Sequence, residues 1–239
     1  MYFLNRYFNP HTPVCLLFSL FCLSCTYAQT TDKPKARYNY LLSLPKDYDK
    51  KTMPYPLVIY LHGSSHRGND LNKLKGYGLP YVIDKGKEFN FIVASPQCPG
   101  GKYWSTENWF DSLYAELTTK YRIDADRVYL TGISLGGYGT FIAGIEHADK
   151  LAAIVPLCGG VNDDDMNRLC PTLKKLPIWT FHGTADNIIP ISETERVVKA
   201  LDACEGNIKF TRLENEGHGI QYLYEKDEIY EWMMLWKRK

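Results

Sequence analysis

The apolar positions of this chain gather into short continuous runs separated by longer amphipathic stretches. Residues 56–61 (PLVIYL) form one such run, as a strand buried on both faces of a sheet should. Similar runs recur at residues 91–95, 127–131, 152–156, 178–181 and 208–213. Earlier, residues 37–44 alternate in strand fashion, and Pro45-Lys46-Asp47 reads as a turn. Residues 108–121, 135–147, 193–204 and 222–237 are amphipathic and of helical length. Ser192, with Glu195 three residues on, has the spacing of a capping box at the start of the third helix. Strands alternating with helices in this way predict an α/β fold, with a mostly parallel central sheet and helices on both faces. No repeat, low-complexity tract or linker interrupts residues 37–239, so they are expected to form one domain behind a polar lead-in at 29–36.

Residues 1–28 do not fit that pattern. They hold one charged side chain, Arg6, then an apolar run from Val14 to Leu23 and the small-residue exit Thr26-Tyr27-Ala28. The run is too short to cross a bilayer as a helix, and the three parts together describe a secretory signal peptide cut after Ala28. An uncleaved anchor is the alternative. Cys25 after Ser24 weakly resembles a bacterial lipoprotein acylation site, although Cys22 stands where that signal wants Leu. The expected location is secreted or periplasmic, with lipid anchoring at Cys25 kept open and no stable membrane insertion after removal of the signal.

Composition narrows the class. Apolar residues at 45% and charged residues at 23% describe a globular chain and exclude disorder. Lys and Arg total 28 against 27 Asp and Glu, and losing Arg6 with the signal leaves formal neutrality. A nucleic-acid surface needs a clustered basic excess, so no nucleic-acid partner is expected. Of the seven Cys, Cys15, Cys22 and Cys25 fall in the signal segment, leaving Cys98, Cys158, Cys170 and Cys204. Four permit two disulfides in three pairings. Proximity favours Cys158–Cys170, with four buried thiols as the alternative.

The chemistry centres on Gly132-Ile133-Ser134-Leu135-Gly136, which lies between a strand pattern and a helix pattern. A G-x-S-x-G in that context is a nucleophile elbow, whose sharp turn exposes the Ser at the carboxyl end of a sheet. A Ser needs a base, and the base needs an orienting acid, in the chain order Ser, acid, His. His147 falls in the helix after the elbow, and His182 precedes the best acid. His218 follows the last strand within Glu216-Gly217-His218-Gly219 and is the expected base. Asp186, beyond the strand at 178–181, is the expected acid. Oxyanion donors are expected from the amides of Leu135 and Ser64, with Ser65 competing for the second place. His62 reads as a structural side chain and Asp163-Asp164-Asp165 as a helix start. No metal or cofactor is expected, since H-E-x-x-H, P-loop and G-x-G-x-x-G motifs are all missing from the sequence.

The blocks PLVIYLHGSSHRGND, SPQCPGGKYWSTEN, RVYLTGISLGGYGTF, LPIWTFHGTADNIIP and YEWMMLWKRK resemble secreted α/β-hydrolases of the dienelactone hydrolase, phospholipase/carboxylesterase and feruloyl-esterase-like group. The resemblance covers nearly all of residues 37–239. It implies a single-domain α/β-hydrolase fold and a cofactor-free serine esterase, with Ser134, Asp186 and His218 at the matching positions. One departure is Gly219-Ile220-Gln221-Tyr222, where relatives often carry an aromatic pair such as Ser-Trp soon after the His. The expected substrate is a small-molecule or polysaccharide-borne ester, acetyl or feruloyl, contacted by Trp104, Tyr138 and Ile220, with Tyr103 and Trp109 nearby. A segment of about twenty residues at 157–176 is short for a lipase lid. A serine peptidase of the same fold and a catalytically silent binding module are the competing readings.

Overall fold

Successive residues of the central strands serve two different cores. Leu57, Ile59 and Leu61 pack on one face of the sheet and Val58 and Tyr60 on the other, all of them buried. This two-sided burial explains the unbroken apolar runs. A computed structural model describes residues 35–238. The expected signal peptide at 1–28, Cys25 and most of the lead-in lie outside the described residues.

The chain order is β1 (Tyr40–Ser43), β2 (Tyr55–Leu61), α1 (Gly78–Asp84), β3 (Ile92–Pro96), α2 (Trp109–Lys120), β4 (Ile123–Ile133), α3 (Leu135–His147) and β5 (Ala153–Leu157). It continues through α4 (Asp163–Met166), α5 (Leu169–Leu173), β6 (Ile178–Gly183), α6 (Ser192–Asp202), β7 (Ile208–Leu213) and α7 (Glu228–Met234). The seven strands form one sheet in the order β1-β3-β2-β4-β5-β6-β7. Only β1 runs antiparallel to its neighbour; all other pairings are parallel. This is the α/β-hydrolase fold.

Helices α2, α3, α5 and α6 cover one face, while α1 and α7 cover the other. The chain leaves β2 for β3 on one side, then crosses back to β4 on the other. Such a reversal opens a crevice beyond the carboxyl ends of the two strands, here where Leu61 and Ile133 end.

Three local expectations change. The helix expected over 222–237 is a 3-10 turn, Ile220–Glu225, followed by α7. The turn buries Ile220, Leu223 and Tyr224, and the chain straightens at Lys226 before the helix resumes. The capping box does not form, because Ser192 is already the first residue of α6 and Glu195 pairs instead with Arg212. The disulfide joins Cys170 to Cys204 rather than to Cys158. Cys170 on α5 and Cys204 just beyond α6 stand 6.2 Å apart at Cα, whereas Cys158, the residue after β5, is a buried free thiol. Nearness in sequence misled here, because α5 packs against α6.

Among the described residues no helix is long and apolar enough to cross a membrane.

Candidate active site

Ser134 occupies the single residue between β4 and α3, with φ +61° and ψ −122°. A side chain tolerates that left-handed backbone only where its surroundings enforce it. Here its amide donates to Leu157 O at 2.9 Å, and its carbonyl accepts from Tyr138 N–H at 3.1 Å. The flanking glycines are required by close approach. A Cβ on Gly132 would stand 2.4 Å from Gly136 O, and one on Gly136 would stand 2.0 Å from Leu61 O.

Two loops bring the partners to it. His218, after β7, has Nδ1 2.7 Å from Asp186 Oδ2 and Nε2 2.9 Å from Ser134 Oγ. A carboxylate only accepts, so Nδ1–H donates to Asp186 and the bare Nε2 accepts from the Ser134 hydroxyl. Asp186, after β6, has a fully buried side chain. Its Oδ1 accepts from the amides of Ile188 and Ile189, both at 2.9 Å. Burial alone would raise its pKa, but the His218 hydrogen bond and the two amides outweigh burial and hold it below the ordinary carboxylate range.

The loop after β2 closes the other side. Gly63 lies against the elbow: a Cβ there would be 3.5 Å from Ser134 Cβ. Ser64 opens a 3-10 turn and Leu135 opens α3. First residues of a helix have amides with no acceptor in their own helix, so both N–H groups are free of such a partner. His62 braces this loop from beneath. Its Nδ1 donates to Gly63 O at 2.7 Å, and its Nε2 accepts from Cys98 N–H at 3.0 Å. Burial lowers its pKa to about 4, so the ring stays neutral in that tautomer. Ser65, the competing donor, turns its hydroxyl to His66.

Beside Leu135 opens a cavity of about 240 Å³ lined by Tyr103, Trp104, Ser105, Tyr138, Ile142 and Asn162. Trp104 is 2% exposed and serves the loop as much as the cavity, since its indole N–H donates to His62 O at 3.1 Å. Trp109 in turn donates to Trp104 O at 2.7 Å. Tyr103, 52% exposed, lies at the surface with the Arg67 guanidinium 5.3 Å above its ring. Burial, then the neighbouring Glu193, push the Tyr138 phenol up to about 12. Ile220 does not belong here. It is 0% exposed within the core beneath α1 and α7, because the 3-10 turn after His218 points it into the protein.

The sequence reading missed two neighbours of the relay. Cys158 brings its thiol near His218 O, at 3.9 Å. His182 lies against Asp186, with Nε2 3.2 Å from Oδ2. Each depends on β5 and β6 ending side by side, which no local motif announces. Donor atoms of Cys158, Asp186 and His218 fall within 4.8 Å of one another. Burial, then Asp186, push that thiol far above its usual range, and a protonated thiol is a poor metal ligand. His147 instead stacks on Phe110, and Asp163 and Asp165 pair with Arg196 and Arg168.

Comparisons with known proteins agree with this architecture. Residues 106–227 match the family model described as Phospholipase/Carboxylesterase. The chain is 32% identical over 152 residues to a bifunctional acetylxylan esterase/xylanase of Neocallimastix patriciarum, covering 60% of this chain and 21% of that protein. It is 27% identical over 174 residues to feruloyl esterase D of Neurospora crassa, covering 64% and 54%. The chain thus spans about a fifth and about half of these relatives' lengths. Among solved structures, a thermostable esterase superposes with a TM-score of 0.68 at 30% identity, over 83% of this chain and 59% of that one.

Proposed function

This chain belongs to the phospholipase/carboxylesterase family, and from that premise we propose that it is a serine carboxylic ester hydrolase using Ser134, His218 and Asp186. The observation that carries the reading is the unbroken line of hydrogen bonds from Asp186 Oδ2 through the His218 ring to Ser134 Oγ. Ser134 Oγ attacks the ester carbonyl carbon while His218 Nε2 takes its proton. The carbonyl oxygen becomes an oxyanion held by the Leu135 and Ser64 amides. The carbon–oxygen bond to the alcohol then breaks, and His218 returns the proton to the departing alkoxide. Water attacks the acyl-enzyme with His218 again as base, freeing the acid and restoring Ser134. Asp186 holds the ring in the tautomer that keeps Nε2 bare. No step requires a cofactor.

For substrate, the reading favours acetyl or feruloyl esters borne on polysaccharides. The named activities of the two relatives support it, as does the aromatic cavity beside Leu135. Export of the chain, with residues 1–28 as its signal, fits the Cys170–Cys204 bond, since disulfides persist in oxidising compartments. The test compares the chain from residue 29 with its Ser134→Ala variant on p-nitrophenyl acetate, butyrate and octanoate, methyl ferulate and acetylated xylan. Turnover of the short or aromatic esters, lost in the variant, supports the reading. Background rates for both proteins on every ester would overturn it.

A further inference from the structure

His182, next to last in β6, is wholly buried, with both ring nitrogens engaged. Its Nε2 is 2.9 Å from Ile189 O and 3.2 Å from Asp186 Oδ2. Both are acceptors with no proton to offer, so a bare Nε2 would set lone pair against lone pair. Its Nδ1 is 2.7 Å from Thr194 Oγ1, which itself lies 2.5 Å from Gly159 O. A hydroxyl has one proton. Given to Nδ1, it leaves the neutral Nε2–H tautomer; given to Gly159 O, it requires a proton on each ring nitrogen. Either arrangement protonates Nε2.

Asp186 Oδ2 therefore receives two N–H donors, from His218 and from His182, while Oδ1 receives two backbone amides. We propose that His182 is a positioning residue, whose Nε2–H fixes the Asp186 carboxylate in the orientation that meets His218. The proposal rests on the triad reading above. Burial lowers the His182 pKa against the opposing pull of Ile189 O and Asp186. The titratable groups around it are Asp186 in its own loop, His218 after β7 and Cys158 at the end of β5. Glu195 on α6 and Arg212 on β7, the strand neighbour of His182, pair with each other.

The test uses His182→Leu and His182→Gln in the full chain, assayed on p-nitrophenyl acetate across pH. Leu removes the donor, whereas the Gln amide can supply an N–H near the Nε2 position. Loss of one hydrogen bond to a charged group predicts a fall in kcat of about 10–100-fold for Leu, with KM little changed. A less neutralised Asp186 holds a proton on its partner ring more firmly, so the acid limb of kcat/KM moves up by about half to one pH unit. Gln should restore most of the rate and return the limb. Equal losses in Leu and Gln with an unmoved limb would overturn the proposal. Nitrogen-15 NMR of histidine-labelled wild-type protein decides the matter even if the variants do not fold: a proton on His182 Nε2 is expected, and a bare Nε2 refutes it. Activity surviving Ser134→Ala would sink the triad reading alone, because the Nε2 proton is read without turnover.

Discussion

Removing the Cys170–Cys204 bond has a calculable cost. The bond closes 34 residues of chain. The loop-closure relation gives an entropy of about 13 cal/mol/K, or about 3.8 kcal/mol at room temperature, lost from the unfolded ensemble. At about 2–4 °C per kcal/mol for a domain of this size, the double variant Cys170→Ala with Cys204→Ala should melt about 8–15 °C lower. Activity at room temperature should change little. Leu169, Leu173, Val197 and Leu201 still seat α5 and α6 on the sheet, far into the core. The assay is thermal and guanidinium unfolding of the oxidised protein, the reduced protein and the double variant, with ester turnover measured alongside. Unchanged stability in all three, or mass mapping that joins Cys158 to Cys170, would refute the reasoning.

Other perturbations act nearer the site. Gly136→Ala forces a Cβ to 2.0 Å from Leu61 O, so it should destabilise the fold by about 3 kcal/mol or more and abolish turnover; a stable, active variant would contradict the packing of the elbow. Asp186→Asn should keep the fold but cost about four decades of kcat, since the amide favours the wrong His218 tautomer; a loss under tenfold would refute that role for Asp186. The depressed Asp186 pKa contributes stability that is present above the unfolded carboxyl's range and is lost as pH falls through the folded value. Melting temperature should therefore fall in acid, and less steeply in Asp186→Asn; parallel curves would argue against it. Trp104→Ala removes the donor to His62 O and a buried indole, so about 3–5 kcal/mol of stability should go, together with most of the kcat for acetate esters. Retention of both would show that the loop does not need this brace.

Much of this site could be read in the sequence because its chemistry sits at strand ends, where the pattern changes from apolar run to glycine. Ser134, Asp186 and His218 each follow such a run, and the fold brings the three ends together. Ser64 and Leu135, whose amides are proposed to hold the oxyanion, open the turns that follow β2 and β4. What escaped depends on neighbours remote in the chain. Cys158 and His182 touch the relay because β5 and β6 pair in parallel, with Leu157 opposite Phe181. The disulfide escaped because α5 against α6 is a tertiary contact. Ile220 was misplaced because the chain after His218 turns into a 3-10 helix that buries its side chain in the core.

The proposed chemistry stands or falls with Ser134 as the nucleophile. The most direct measurement treats the intact protein with a fluorophosphonate and weighs it, with Ser134→Ala beside it. One adduct per chain is expected, mapped to the peptide carrying Ser134 and absent from the variant, with esterase activity lost in step and by about three decades or more. Labelling of the variant to the same extent, or full activity in the labelled protein, would contradict it.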